Sequence, residues 1–375
     1  MESIKTDEES WFRASLRDWL SERQPFDVLP VNDDARIEYL SSWQKELFNA
    51  GWMCVSFPEK YGGRGLPMAY EAIVQEELGR AGAPSAFHYA YVARVLLDFG
   101  SPEQRERYIR PALRGDERWC QGFSEPDAGS DLAAIRTTAH RRENTFVISG
   151  QKVWSSRAHW SQWCLLLART GPSDSRHRGL SVFIVPTDVR GLTIRPFRQM
   201  TGGLEFAELF LDDVEVPLES LVGALHGGWE IAMATVSYER GPSDVGTIAD
   251  IQRRLHHVIS RCAENVTNIS PQILLDLARL DLDVQTLQSH IMRGLYRDEV
   301  NVIDSTSSVD KILVTDIVQR LGHLDMDVDK ATTLSQEVNE SSFEYLYGRA
   351  ASVYGGSAQI QRNIIAQRIL GLPRS

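Results

Sequence analysis

Phe146-Val147-Ile148-Ser149-Gly150-Gln151-Lys152-Val153-Trp154 alternates around an expected turn, beyond the point after Trp119 where the periodicity of the chain changes. Downstream lie the short β-rich runs Cys164-Leu165-Leu166-Leu167-Ala168, Leu180-Ser181-Val182-Phe183-Ile184-Val185 and Leu192-Thr193-Ile194, separated by Gly, Pro and Asp. Phe206-Ala207-Glu208-Leu209-Phe210-Leu211 followed by Asp212-Asp213-Val214-Glu215-Val216-Pro217 reads as a strand and a turn. Short strands with no helices between them predict a compact antiparallel β domain. Upstream of Trp119 the pattern is helical. Trp11, Leu16 and Leu20 recur at helical spacing, then Tyr39, Trp43, Leu47 and Phe48, until Phe57-Pro58-Glu59-Lys60-Tyr61-Gly62-Gly63-Arg64-Gly65 breaks the pattern. Helices are expected again over residues 70–78 and 89–99, and Ser101-Pro102-Glu103 caps another. Beyond Gly228, Ile231, Ala234, Thr235 and Tyr238 form an apolar stripe beside Glu239, and residues 274–280, 312–321 and 343–370 continue as packed helices. The expected fold class is α+β in three domains: an N-terminal helical domain over residues 1–118, a middle antiparallel β domain over 119–224 and a C-terminal four-helix-type domain over 225–375.

Composition narrows the class of protein. Hydrophobic residues make up 42% of the 375 and charged residues 24%, as in a folded chain long enough for several domains. The net charge of -11, with no basic stripe carrying interleaved aromatics, argues against a nucleic-acid partner. Cys54, Cys120, Cys164 and Cys262 are scattered without a CxxC pair, which favours reduced, buried thiols over a zinc site or disulfide framework. His256-His257 and His323 lack a third ligand at informative spacing, so no metal site is expected. Without an apolar leader or a bilayer-length apolar run, a cytoplasmic protein with no membrane insertion is expected.

Several stretches together resemble the acyl-CoA dehydrogenase flavoproteins. They are Gly51-Trp52 with Pro58-Glu59-Lys60-Tyr61-Gly62-Gly63, Phe123-Ser124-Glu125-Pro126-Asp127-Ala128-Gly129-Ser130-Asp131, Gly150-Gln151-Lys152-Val153-Trp154-Ser155-Ser156, and Tyr354 to Gly371. The likeness covers nearly the whole chain and implies FAD as cofactor. It places Gln121, Phe123 and Ser124 beside the flavin ring, Trp154 packed near it, Ser156 as a hydroxyl contact, and Ser357 and Gln359 on the approach from the C-terminal loop. Taken alone, a strand tryptophan is a core residue and the 125–130 stretch a capped turn; the resemblance gives both a ligand. Ser130 matches a contact to the pantetheine arm, while Arg240, Tyr354 and Gly355 fall on the substrate side. Arg157 stands where the family more often has asparagine. The basic, aromatic Arg-x-x-Phe-Gly stretch that often completes the FAD site from a neighbouring subunit is replaced by Ile251-Gln252-Arg253-Arg254-Leu255-His256-His257.

The implied chemistry removes an α proton and a β hydride from an acyl thioester carried on coenzyme A or an acyl carrier protein. A carboxylate must take the proton, and a donor must polarise the thioester carbonyl. The family commonly draws its base from Tyr-Glu-Gly in the C-terminal loop, but here the glutamate position is Gly355, which cannot take a proton. Gly356 retains the backbone N–H that polarises the carbonyl. A subset of the family carries the base on the helix matching Tyr238-Glu239-Arg240, which makes Glu239 the expected base; read alone, Glu239 is a surface residue or an arginine's partner. The resemblance further implies an electron-transfer flavoprotein as acceptor and a homodimer or homotetramer. Two other readings stay open: a flavin monooxygenase or oxidase on the same scaffold, and a catalytically silent FAD-binding subunit.

Overall fold

The computed structural model describes residues 7–26, 30, 33–84, 90–238, 242–264, 269–295, 307–328 and 340–373. Helices precede and follow a β region, in the expected order, and the packing sorts the chain into two compact units. One comprises Leu29–Gly65 and Ser85–Glu239; the other comprises Met1–Val28, Leu66–Pro84 and Arg240–Ser375.

The first unit is built on an eight-stranded sheet. Its strands are β1 (Trp119–Gly122), β2 (Thr138–Arg142), β3 (Thr145–Ser156), β4 (Trp163–Arg169), β5 (Leu180–Pro186), β6 (Leu192–Phe197), β7 (Phe206–Pro217) and β8 (Leu221–Val222), in the order β6-β7-β3-β2-β4-β5-β8 with β1 pairing β4. Most pairs are antiparallel as expected, but β1 runs parallel to β4, with Cys120 opposite Cys164, and β2 meets β4 in parallel at Thr138 and Arg169, so the sheet is mixed. A parallel neighbour needs a long crossover, and the whole β2–β3 excursion supplies it. Phe146, Ile148, Leu166, Phe183, Leu209 and Val214 form the core beneath the sheet. Two expected turns are instead irregularities inside long strands. The register shifts between Ile148 and Gly150, opposite Asp213 at φ 49°, whose carboxylate accepts from the Ser149 hydroxyl at 2.7 Å. Local turn signals here bend a strand whose flanks remain paired.

Helices α2 (Asp33–Asn49), α4 (Ala90–Phe99), α5 (Pro102–Arg114) and α6 (Gly228–Tyr238) belong to the same unit. Helix α5 starts in a capping box: the Gln104 N–H donates to Ser101 Oγ and the Ser101 N–H to Gln104 Oε1. The buried Gln44 amide donates to the Ala112 and Leu113 carbonyls at 3.0 Å, closing the other end. In α6, Ile231, Ala234 and Thr235 are buried as the stripe predicts.

In the second unit, α1 (Asp7–Ser21) packs on α3 (Met68–Ala81), and α3 on α7 (Pro242–Glu264). Burial follows Phe12, Leu16 and Leu20, a strict four-residue repeat, whereas Trp11 is 71% exposed and is not part of the stripe read from the sequence. Each of those three buried side chains contributes roughly 1.5–3 kcal/mol. Arg13 and Arg17 reach from α1 to Glu76 and Glu77 on α3, a charge cluster that is mostly buried. Gly79 and Gly246 let α3 and α7 approach closely, because a Cβ on Gly79 would lie 2.5 Å from the Gly246 carbonyl oxygen. Helices α7, α8 (Pro271–Leu295) and α9 (Ser307–Val328) enclose a core of Leu255, Val258, Leu280, Leu287, Ile317 and Leu321. Short helices α10 (Glu340–Gly348) and α11 (Ala358–Ile364) follow. Among the described residues, no helix is long and apolar enough to cross a membrane.

Candidate functional site

On the β unit the expected cofactor residues gather around one bulge. The register of β3 against β7 shifts between Lys152 and Ser155, and Trp154 sits in that shift at φ 61° with 60% of its surface exposed. A non-glycine residue in this region costs on the order of 1–3 kcal/mol, so the surrounding sheet must hold it there. The indole meets Phe197 and Phe206 edge-on, at 5.1 and 5.8 Å between centroids. Ser155 turns inward and is buried, while Ser156 is exposed beyond it. The Val153 N–H donates to the Ser124 carbonyl at 2.9 Å, tying the half-buried Ser124 to the same bulge. Gln121 lies in β1 opposite Leu165, and Phe123 is buried just after it.

Lys152 and Glu125 anchor this arrangement, a role that the sequence reading did not give Lys152. Lys152 is fully buried, and its ammonium donates to the Phe123 carbonyl at 3.0 Å and to Glu125 Oε1 at 2.8 Å. Glu125 also accepts from the Arg136 and Thr137 N–H groups at 2.6 and 2.9 Å. Burial pushes the Lys152 pKa down to about 8 against the pull of Glu125. Burial also works against the Glu125 charge, but the Lys152 ammonium and the backbone donors outweigh it and hold the carboxyl below its usual range. The signal available in the sequence was a lysine at the same two-residue phase as Phe146 and Ile148 of its strand. Ser130 is exposed on the turn that Glu125 closes, beside Asp131, which pairs with Arg176 at 2.7 Å.

On the helical unit, Tyr354, Gly355, Gly356, Ser357 and Gln359 lie together on the loop entering α11. Gly355 and Gly356 have φ values of 62° and 91°. Ser357 caps α11, accepting from the Ile360 N–H at 3.4 Å, and Gln359 is exposed. Gln361, 1% exposed and likewise unanticipated, donates its amide to both the Gly355 and Gly356 carbonyls at 3.2 Å. In a trans peptide the C=O and N–H point in opposite directions. By holding the Gly355 carbonyl, Gln361 therefore turns the Gly356 N–H away from itself. Lys311, on α9, places its ammonium 4.1 Å from the Tyr354 ring centre. Tyr354 is 45% exposed as a whole, yet loss of water around its hydroxyl, with Tyr347 and Glu344 nearby, raises that hydroxyl's pKa above its ordinary value. Glu239 and Arg240 lie outside the described residues; α6 ends at Tyr238, whose hydroxyl donates to Asp98 at 2.7 Å.

These residues suit a flavin. An exposed aromatic plane fixed on a bulge can cover a planar ring, and the exposed Ser156 and the half-buried Ser124 tied to the same bulge carry hydroxyls able to hydrogen-bond a ligand.

Comparison with known proteins agrees along the whole chain. Residues 6–116, 120–214 and 226–370 match the models of the acyl-CoA dehydrogenase N-terminal, middle and C-terminal domains. The chain is 39% identical over 377 residues to acyl-CoA dehydrogenase IpdE1 of Mycobacterium tuberculosis, covering 97% of each. It matches the solved Tcur3481-Tcur3483 steroid ACAD with a TM-score of 0.85 at 26% identity, over 98% of both chains. It matches the ChsE4-ChsE5 complex of M. tuberculosis with a TM-score of 0.84 at 27% identity, over 100% of both.

Proposed function

The chain belongs to the acyl-CoA dehydrogenase family, and on that premise we propose that Glu239 is its base and the Gly356 N–H its carbonyl donor. Membership makes it an oxidoreductase that dehydrogenates an acyl thioester in an FAD-dependent reaction. FAD, when bound, supplies the acceptor for the hydride that leaves the β carbon.

The chain's own residues do the rest. Glu239 takes the α proton on its carboxylate, which must be ionised beforehand. The Gly356 N–H donates to the thioester carbonyl oxygen, which lets negative charge spread from the α carbon. Trp154 covers one face of the ring and keeps water from it, and Gln121, Phe123, Ser124 and Ser156 line the same cofactor surface. Ser357 and Gln359 approach the cofactor from the C-terminal loop. Ser130 contacts the arm of coenzyme A or a carrier protein, and Arg240, Tyr354 and Gly355 face the acyl part.

One observation carries this reading. The Gln361 amide fixes the Gly355–Gly356 peptide, so replacement of the usual glutamate by glycine leaves the carbonyl donor oriented. A chain that had simply lost the chemistry would have no need to preserve that orientation. The family relationship supports an electron-transfer flavoprotein as acceptor; the proposed location is cytoplasmic. Likeness to the ChsE4-ChsE5 complex supports an assembled form, either a homo-oligomer or one shared with a second subunit.

The test is anaerobic bleaching of stoichiometric bound FAD by acyl-CoA thioesters, followed by the same measurement on Glu239→Gln with FAD content verified. Failure of every thioester to bleach the flavin would contradict the dehydrogenase assignment. Near-normal bleaching by the variant would remove Glu239 as base.

A further inference from the structure

Phe123 and Glu125 are buried, Ser124 between them is half-buried, and the backbone of this stretch is held from several sides. The Lys152 ammonium donates to the Phe123 carbonyl at 3.0 Å, and the Val153 N–H to the Ser124 carbonyl at 2.9 Å. The Glu125 N–H donates to the Ala128 carbonyl at 3.0 Å. The Ser124 N–H is different: among the described residues nothing accepts from it. Leaving a donor unpaired in a half-buried segment is unfavourable unless a ligand supplies the acceptor.

Its direction is fixed all the same. The Phe123–Ser124 peptide is trans, so a carbonyl drawn toward Lys152 turns the Ser124 N–H away from the ammonium. Lys152 is fully buried, whereas Trp154, displaced by the register shift, is exposed. The cation does more than aim the peptide. Its bond to the carbonyl is charge-assisted, and polarising a C=O strengthens the N–H of the same peptide as a donor. Glu125 Oε1 holds the ammonium at 2.8 Å and is itself fixed by the Arg136 and Thr137 N–H groups.

We propose that Lys152 is a positioning residue for the cofactor: through the Phe123 carbonyl it aims and strengthens the Ser124 N–H as a donor to a flavin ring acceptor that gains electron density on reduction. The inference rests on the reading that Ser124 borders the flavin ring. A donor at such an atom binds the reduced ring more strongly than the oxidised one, and so raises the potential of the bound flavin.

The experiment replaces both partners, Lys152→Met with Glu125→Gln, so that neither charge is left buried alone and the net charge is kept. The readout is the two-electron midpoint potential of bound FAD by dye equilibration, in holoenzyme and variant, with FAD content and denaturation midpoint recorded. Weaker donation should cut the preference for reduced over oxidised flavin about tenfold, lowering the potential by about 30 mV. A purely structural anchor would lower the denaturation midpoint and leave the potential unmoved; that result, or a raised potential, overturns the proposal. The same drop is expected in a Ser124→Ala background, which loses the hydroxyl and keeps the N–H. A drop that vanishes there assigns the effect to the hydroxyl and overturns the backbone role. Should the double variant fail to fold or to hold FAD, wild type decides. In holoenzyme carrying isotope-labelled serine, the Ser124 amide proton, assigned by its absence in Ser124→Ala, should move downfield on anaerobic reduction of the flavin. An amide proton that stays in place or moves upfield overturns the proposal. A wild-type chain that takes up no FAD removes the cofactor reading and this inference with it, whereas bound FAD with an unmoved potential sinks the inference alone.

Discussion

Trp154 and Gly355 share nearly the same backbone angle, φ 61° and 62°, yet one carries the largest side chain and the other none. The strand around Trp154 is paired with β7 and anchored from below by the Lys152–Glu125 pair, so it can hold a strained residue and display its ring. The loop around Gly355 is held by the Gln361 amide, and what it offers is backbone. At such a position a side chain would add strain that so slight a support does not offset. Rigid scaffolding permits side-chain function at an unfavourable angle, and a lightly held turn favours peptide function.

Four measurements would break or sharpen that contrast. The largest effect is expected from Glu239→Gln, which should slow anaerobic flavin reduction by about 10²–10⁴-fold while FAD content holds. Stopped-flow absorbance decides it, and a rate within a few-fold of wild type would mean that the base lies elsewhere. Next, Lys152→Met leaves a buried, partly uncompensated Glu125 and should cost about 3–5 kcal/mol in chemical denaturation. Adding Glu125→Gln should recover part of that loss, and no recovery would show that the two do not act as a pair.

Gln361→Ala should lower kcat about ten- to hundredfold with KM little changed, because the donor peptide loses its orientation. If KM rises and kcat is kept, Gln361 serves binding and not carbonyl polarisation. The smallest effect is a pH dependence. Lys152 has a folded pKa near 8 against an ordinary value of 10.5, so the folded state carries fewer protons between these values. The cost of burying its charge is full below pH 8 and is relieved as pH rises toward 10.5. The stability advantage of Lys152→Gln over wild type, or its deficit, should therefore shift in wild type's favour over that window; denaturation midpoints that track each other would contradict the assigned burial cost.

Much of this was legible in the sequence because it rests on local pattern. The change of period after Trp119, the Ser101 cap and the apolar stripe of α6 each follow from residues within a turn or two of one another. Trp11 misled because aromatic size says nothing about phase; only the Phe12-Leu16-Leu20 spacing identifies the buried face. Asp212-Asp213 read as a turn because a bulge uses the same residue chemistry, and pairing on both sides is invisible locally. The Tyr354–Gln359 residues were found through motif likeness. Gln361 lies in the same stretch, but its task depends on where its amide points. Lys152 with Glu125, and Lys311 with Gly355, are juxtapositions made by tertiary packing across long sequence separations.

The close approach of α3 to α7 at Gly79 and Gly246 also has a meaning in time. Synthesis runs from the N-terminus, so α1 and α3 emerge early, but α7, the second helix against which α3 packs, is not made until the chain passes Pro242. The sheet-bearing unit, by contrast, has all of its strands once Val222 is out. Between the completion of α3 at Ala81 and the start of α7 at Pro242, therefore, the apolar face of α3 around Ala72 waits for this partner while the intervening unit can already close.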